Sequence, residues 1–356
     1  MRRRLDSVLA SVSRAPELGL IWILAAITIY AVAALPAFRT TSNADQILSN
    51  STIIAILALA ETMVLLTRQI DLSVGAILGL CAYVVGSAIG HVGGGPAVAI
   101  ALSLGLGGVL GLGNALLVDL IRMPAIIATL ATLSIYGGLQ VVVTNGSQLY
   151  AYQLPHWVNA LYSTHWGPLP AFAAVAVIFV VLLTIAVQLT RWGRDLYAMG
   201  SNPGAAAYAG LPVRRHTYEA FIACGALSGF AGLLYAAQYG NVDATAGNGI
   251  ELTAIAAAVI GGVSLFGGAG SPLGAALGAL LLIEIENILA IEKISIFAQE
   301  LLQGLAIIAS VAVYALVRRY AQVRARRRLR LKPVEPLPAA AIEPVPITVE
   351  GREASL

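Results

Sequence analysis

The sequence contains few charged residues for its length. Aspartate, glutamate, lysine and arginine make up 11% of its 356 residues, whereas about 25% is typical of soluble domains. Hydrophobic residues make up 58%, and this composition excludes an ordinary soluble domain. The net charge of +3 comes from residues that flank long apolar runs. We therefore predict that the partner is a lipid bilayer, with no nucleic acid bound.

Cysteine, histidine and lysine are also scarce. The two cysteines, Cys81 and Cys224, both lie in apolar runs, which excludes a disulfide framework and a cysteine-rich metal site. The four histidines show no metal-ligand spacing. Neither Lys293 nor Lys332 lies in the G-x-x-x-x-G-K-[ST] pattern that holds nucleotide phosphates. We predict that the chain is not an enzyme, with no catalytic residue, no metal ligand and no cofactor bound by this chain.

Ten apolar runs are present, and each approaches the roughly 20 residues that cross a ~30 Å hydrocarbon core as a helix. They predict an all-α polytopic membrane protein with about ten transmembrane helices. The third and eighth runs are rich in glycine and other small residues, which is typical of broken, bent or buried segments. The runs cover residues 18–38, 47–66, 72–90, 96–120, 124–144, 168–190, 217–238, 251–267, 271–290 and 296–317.

The basic residues indicate the orientation of these spans. With the N-terminus inside and ten alternating spans, all but Arg39 and Lys293 of the 21 basic residues fall in inside segments. Lysine and arginine gather in cytoplasmic loops, so we predict an N-in, C-in topology. The predicted domains are a cytoplasmic N-terminal segment at 1–17, a transmembrane domain at 18–317 and a basic, then disordered, cytoplasmic tail at 318–356.

Two short motifs suggest an internal repeat. IDLS at 70–73 opens the third span and IELT at 250–253 opens the eighth. Five spans separate the motifs, so the copies have opposite orientations, which predicts two inverted five-helix halves with a pathway at their interface. The same acids also fit simple first-turn positions of helices. With the polar residues of the tenth span, the candidate pathway residues are Asp71, Ser73, Glu251, Thr253, Gln299, Glu300 and Gln303.

The loop at 191–216 carries the signals of a two-turn helix. Asn202 fits the N-cap, Pro203 the first helical position and Gly210 the left-handed residue after the end. Isolated helices this short are marginal in water, so we expect it to pack against a cytoplasmic partner, the membrane surface or its own spans. Tyr208 and Leu211 have bulky side chains that are suited to enter a groove on a partner. The residues assigned to this helix are Asn202, Pro203, Ala205, Ala206, Tyr208, Gly210 and Leu211.

Three stretches carry a family resemblance, and the likeness covers about 40–320. GRDLYAMGSNPGAAAYAGLPVRR at 193–215 resembles the cytoplasmic loop of ABC-transporter permeases of the ribose/xylose/rhamnose/autoinducer-2 class. QIDLSVGAILGL at 69–80 and ELTAIAAAVIGGVSLFGGAGSPLGAALGALLL at 251–282 are similar to the same family. The resemblance implies that the short helix is a coupling helix that docks into an ATPase subunit. At position 204 this chain has glycine, where relatives often have glutamate.

The resemblance also implies a function and its partners. It implies the membrane subunit of an ATP-driven importer for a monosaccharide or similar small polyol, multi-pass in the bacterial cytoplasmic (inner) membrane. ATP and Mg are then used by a separate cytoplasmic ATPase subunit. The other implied partners are a periplasmic solute-binding protein and a second permease copy or sister permease. An ion-coupled secondary transporter, which would use acids such as Asp71, Glu251 or Glu300, is the alternative.

Overall fold

The computed structural model describes residues 16–167, 169–295, 297–301, 303–305, 308 and 312. Most of the described chain is helical. The predicted tail at 318–356 and most of the predicted tenth span lie outside the described residues. The first helix begins at Pro16, two residues before the start predicted from hydropathy.

The described elements include twelve α-helices. They are α1 (Pro16–Ala34), α2 (Thr41–Leu66), α3 (Val74–Val92), α4 (Pro96–Asp119), α5 (Ala125–Thr144), α6 (His156–Ser163), α7 (Ala171–Thr184), α8 (Arg191–Ser201), α9 (Pro203–Tyr208), α10 (Val213–Tyr239), α11 (Ile250–Ile260) and α12 (Pro272–Ile291). A 3-10 turn at Pro36–Arg39 follows α1, another occupies Ala151–Gln153, and a π-helical turn at Ile185–Leu189 extends α7. Four two-residue strands are β1 (Leu149–Tyr150), β2 (His165–Trp166), β3 (Leu169–Pro170) and β4 (Asn241–Val242).

Eight of the described helices are long and apolar enough to cross a membrane: α1 to α5, α7 with its π-helical turn, α10 and α12. The predicted eighth span is different. It forms only the 11-residue α11, about 16 Å long at 1.5 Å per residue, and then breaks into turns at 261–271. Gly262, Gly267, Gly268 and Gly270 adopt positive φ in this break, a conformation that other residues rarely adopt. The described residues therefore support a multi-pass helical membrane protein, with a broken segment where one full span was expected.

Three helices form the buried centre of the bundle. Most residues of α2, α3 and α10 are buried, whereas α1, α4, α5 and α7 leave apolar side chains exposed. On α1, for example, Trp22 and Ile29 are 75% and 70% exposed. Exposed apolar surface of this extent is what a lipid-facing helix requires. The outer helices thus separate the central ones from the hydrocarbon.

The crossing of α4 and α10 depends on glycine. Gly107 and Gly111 on α4 face Gly225 and Gly229 on α10, and in each pair the glycines lie four residues apart. A β-carbon at Gly107 would lie 2.9 Å from the Gly229 α-carbon. One at Gly225 would lie 2.8 Å from the Gly111 α-carbon. The two backbones touch directly, as in small-residue packing of membrane helices, and the sequence analysis did not single out these positions.

The two ends of the bundle differ in composition. At one end α2 and α4 finish and α10 starts, since Gln69 bonds to Thr217 and Arg214 pairs with Asp119. We call this the basic end, after Arg68, Arg122, Arg191, Arg194, Arg214 and Arg215. At the other end, called here the aromatic end, β1 pairs antiparallel with β4 and β2 with β3. Trp157 of α6 donates to the Gly94 carbonyl there, at 3.0 Å.

Candidate functional site

The short helix α9 forms as its local sequence predicts. The Asn202 side chain accepts a hydrogen bond from the Ala205 N–H at 3.0 Å, and Pro203 occupies the first turn. At the other end Gly210 has a φ of +81°. The Leu211 and Gly210 N–H groups donate to the carbonyls of Ala206 and Ala207, both at 3.0 Å, which is the Schellman arrangement. Both ends of this helix of less than two turns are therefore capped by residues that the sequence supplies.

One side of α9 packs against the protein and the other projects from the basic end. Ala206 is 5% exposed, whereas Tyr208 is 97% exposed. An aromatic ring held in full contact with solvent at the end of a fixed helix is suited to enter a groove of a partner. Next to it lies an open surface depression, lined by Leu211, Pro212, Val213, Arg214, Arg215 and Tyr218.

The helix α8, which precedes α9, is anchored to the core at two places. The Tyr197 hydroxyl donates to the Gly270 carbonyl at 2.6 Å. Burial raises the pKa of Tyr197, so this hydroxyl stays protonated and able to donate. The Gly268 N–H donates to the Leu66 carbonyl at 3.0 Å, and Gly200 of α8 lies between these two backbone segments. The base of α9 therefore contacts both the end of α2 and the break after α11.

A second set of contacts joins α8 to α10. The Trp192 indole N–H donates to Glu219 at 2.8 Å. His216 is buried, and its Nδ1 lies 2.9 Å from Glu219 while its Nε2 lies 3.4 Å from Asp195 of α8. Arg215 also donates to Glu219, at 2.7 Å. The sequence analysis did not foresee α8 as a separate helix, although its tryptophan and paired charges were visible.

Asp71 and Ser73 lie together at the start of α3, and neither is exposed to solvent. The Asp71 carboxylate accepts hydrogen bonds from the Ser73 N–H at 2.9 Å and from its hydroxyl at 2.6 Å. Asn114 of α4 donates to both Asp71 oxygens, at 3.2 and 3.0 Å, and to the Ser73 hydroxyl at 2.8 Å. The sequence analysis missed Asn114. The one feature that could have indicated it is its polar side chain within a glycine-rich apolar helix.

Two further side chains complete this buried polar group. The Cys224 thiol of α10 lies beside Asp71 and interacts with its carboxylate. Glu61 of α2 is fully buried and interacts electrostatically with Asp71. Four helices, α2, α3, α4 and α10, thus converge on one polar centre in an otherwise apolar bundle. Buried polar groups of this kind in membrane proteins mark transport pathways more often than packing.

The other candidate pathway residues lie in different places. Glu251, in the first turn of α11, touches the backbone of Gly75, only two residues beyond Ser73. Gln303 donates to the Thr253 hydroxyl at 2.8 Å, so these two predicted residues do meet. Gln299 donates to the Ile294 carbonyl at 3.0 Å, and Glu300 is exposed. The structure therefore brings four of the predicted residues together as two hydrogen-bonded pairs, Asp71 with Ser73 and Thr253 with Gln303. Glu251, Gln299 and Glu300 lie outside these pairs.

The segment between α10 and α11 is held by a residue that the sequence analysis overlooked. Gln140 of α5 is 1% exposed, and its amide donates to the carbonyls of Asp243 and Ala246 at 3.0 and 3.1 Å. Irregular backbone at membrane depth needs such partners because lipid offers none. Gly79 of α3 allows the close approach, since a β-carbon there would meet the Ala246 carbonyl and the Gln140 amide.

Comparison with known proteins agrees with this architecture. Residues 43–311 match the family described as branched-chain amino acid transport system / permease component. The autoinducer 2 import system permease protein LsrC of Klebsiella pneumoniae is 37% identical over 322 residues, 89% of this chain and 90% of that protein. LsrC of an Enterobacter species is 36% identical over 86% and 88% of the two chains, and that of Yersinia pseudotuberculosis 36% over 74% of each.

No solved structure matches the chain. The family match covers most of the described helices, and the relatives named above cover 74% or more of the chain at 36% identity or more. The chain is a transport component and not an enzyme, and it belongs to the ABC-importer permease family that includes the autoinducer-2 and ribose-type permeases.

Proposed function

We propose that this chain is the permease subunit of an ATP-driven importer in the bacterial cytoplasmic membrane, and that α9 is the helix that receives its ATPase. The observation that carries the proposal is the exposure of Tyr208 on a helix that is capped at both ends and anchored at its base. A residue that only stabilised this chain would pack inward, as Ala206 does. The arginines around α9 support a cytoplasmic location for this end, by the positive-inside rule.

The contacts of α8 supply the route by which movement of α9 reaches the pathway. Through Tyr197 it is bonded to the break after α11, and through Gly200 it packs against the end of α2. Through Trp192 it is bonded to Glu219 of α10. Packed elements with direct hydrogen bonds move as units. A displacement of α9 by the ATPase is therefore passed to the helices that enclose Asp71.

The other components are those that the permease family implies. It has no phosphate-binding lysine motif, so ATP and Mg are used by a separate cytoplasmic subunit. A periplasmic solute-binding protein delivers the solute at the aromatic end. A second permease copy or a sister permease completes the pathway.

The proposed solute is a monosaccharide or a similar small polyol. The relatives are named for autoinducer 2 import, while the family description names branched-chain amino acids. A solute rich in hydroxyl groups fits the polar groups near α11, namely Thr253 paired with Gln303 and the carboxylate of Glu251. Hydroxyls both donate and accept hydrogen bonds and so suit mixed amide, hydroxyl and carboxylate side chains.

Isolation of the tagged chain from its native membranes tests the assignment. We expect an ATPase subunit with the phosphate-binding lysine motif to copurify, and a soluble binding protein whose ligand identifies the solute. As a matched control, a chain carrying Tyr208→Ala should retain any sister permease and lose the ATPase. Recovery of the chain alone, together with uptake that follows the proton gradient and ignores ATP, would support the ion-coupled alternative instead.

A further inference from the structure

The Asp71–Ser73 turn has a counterpart elsewhere in the chain. Asp243 accepts hydrogen bonds from the Thr245 N–H at 2.8 Å and from its hydroxyl at 2.7 Å. Asp71 accepts from the N–H and hydroxyl of Ser73 at 2.9 and 2.6 Å. The surrounding sequences also agree, since 69–75 read QIDLSVG and 241–247 read NVDATAG.

This correspondence revises the register of the internal repeat. The shift from 69 to 241 is 172 residues, and it moves α2 (Thr41–Leu66) onto 213–238, the extent of α10 (Val213–Tyr239). It also moves α4 (Pro96–Asp119) onto 268–291, which contains α12 (Pro272–Ile291). The sequence analysis had matched Asp71 with Glu251, but the hydrogen bonds match Asp71 with Asp243.

The two turns approach each other from opposite ends of the bundle. Asp71 follows α2 at the basic end, and Asp243 follows β4 at the aromatic end. Gly75 and Gly247 occupy equivalent positions between the two turns. A β-carbon on either glycine would collide with the backbone carbonyl of the other. The two broken segments therefore cross at these glycines, which is the position expected for a pseudo-twofold axis between inverted halves.

The two turns differ in how they are closed. Asp71 is fully buried and is held by Asn114 of α4. The residue equivalent to Asn114 under the same shift is Glu286 of α12, which has no amide to donate. Asp243 is partly exposed. Among the described side chains, the donors to its carboxylate are limited to Thr245, while Gln140 of α5 donates to its backbone carbonyl. The carboxylate at the basic end is thus bonded to a neighbouring helix, whereas the carboxylate of its counterpart is bonded within its own turn.

We propose that Asp71, Ser73 and Asn114 form a latch that closes the solute pathway at the basic end, and that the Asp243–Thr245 turn is its unlatched counterpart at the aromatic end. The structure is then the conformer that is open toward the aromatic end. Release of solute into the cell requires Asn114 to separate from Asp71. This proposal rests on the proposed transport function, and it names the residues that stabilise one conformer of the transporter.

Thiol labelling from each side of the membrane tests the latch. The reporter is a cysteine at position 74, introduced as Val74→Cys, and Val74 is buried one residue beyond Ser73. The full transporter also carries Cys81→Ala and Cys224→Ser, which remove the native thiols of this chain. In inverted vesicles, a membrane-impermeant thiol reagent should label the reporter about tenfold faster or more when Asn114→Ala is added, the effect of losing one charge-assisted hydrogen bond. Labelling from the aromatic end should not increase. Ser103→Ala, a buried polar residue of α4 bonded only within its own helix, is the matched control.

An exchange of the two side chains distinguishes loss of the latch from a general loosening of helix packing. Asp71→Asn combined with Asn114→Asp keeps one amide and one carboxylate in contact, so it should restore slow labelling, whereas Asn114→Asp alone should keep it fast. Unchanged labelling in both Asn114 variants, or equal increases from both sides, would overturn the proposal. The measurement needs neither nucleotide nor solute, so its result does not depend on whether ATP drives transport.

Discussion

Replacing Tyr208 with alanine is expected to reduce ATP-driven uptake and ATPase binding by about 30-fold, the effect of losing about 2 kcal/mol at an aromatic contact. Tyr208 is 97% exposed, so its loss removes no packing within this chain. The variant should therefore insert and remain as stable as the native protein. Binding of purified ATPase to membranes that carry the chain, measured beside solute uptake, gives both quantities.

Tyr152→Ala is the matched control for this experiment. Tyr152 is 82% exposed at the aromatic end, so the substitution makes the same chemical change where the ATPase cannot reach. It should leave ATPase binding and coupling unchanged. Equal effects of the two substitutions would contradict the docking role of α9.

The second large effect is expected at the glycine crossing of α4 and α10. Gly225→Leu should destabilise the folded protein by about 3 kcal/mol or more, since overpacking costs 1–3 kcal/mol even where the backbone can move. Here the new side chain would meet backbone atoms of Gly107 and Gly111, which cannot shift without moving α4. Separation of the helices would also pull Asn114 away from Asp71.

The control lies on α4, the helix against which Gly225 packs. Gly105 of α4 is exposed, and a β-carbon there has nothing within 4 Å, so Gly105→Leu adds only a lipid-facing side chain. Thermal unfolding in detergent, followed by size-exclusion chromatography, should show loss of monodisperse protein for Gly225→Leu and little change for Gly105→Leu. Equal stability of both variants would mean that the two backbones do not pack in direct contact.

Features set by neighbouring residues were predictable from the sequence. The cap at Asn202, the first-turn Pro203 and the left-handed Gly210 are local signals, and all three are confirmed. The apolar runs located the long helices for the same reason, since spanning length and composition are properties of a segment. The glycine-rich eighth run was recognised as irregular, although not as a helix of only 11 residues.

Features that depend on pairing between distant segments were not predictable in this way. Asn114 and Gln140 are single polar residues in apolar helices, and only the fold shows that they bind Asp71 and the 243–246 turn. The sequence analysis matched Asp71 with Glu251, whereas the register inferred above matches it with Asp243, eight residues earlier. Short motifs in glycine- and alanine-rich segments match in several registers, and the hydrogen bonds of the turn distinguish them.

The most direct test of the account is solute uptake by sealed vesicles that contain the chain with its ATPase and binding protein. We predict uptake only when ATP is present on the side that carries residues 203–208, with no loss when ion gradients are dissipated. Uptake by the purified chain alone, driven by an ion gradient without nucleotide, would contradict the account.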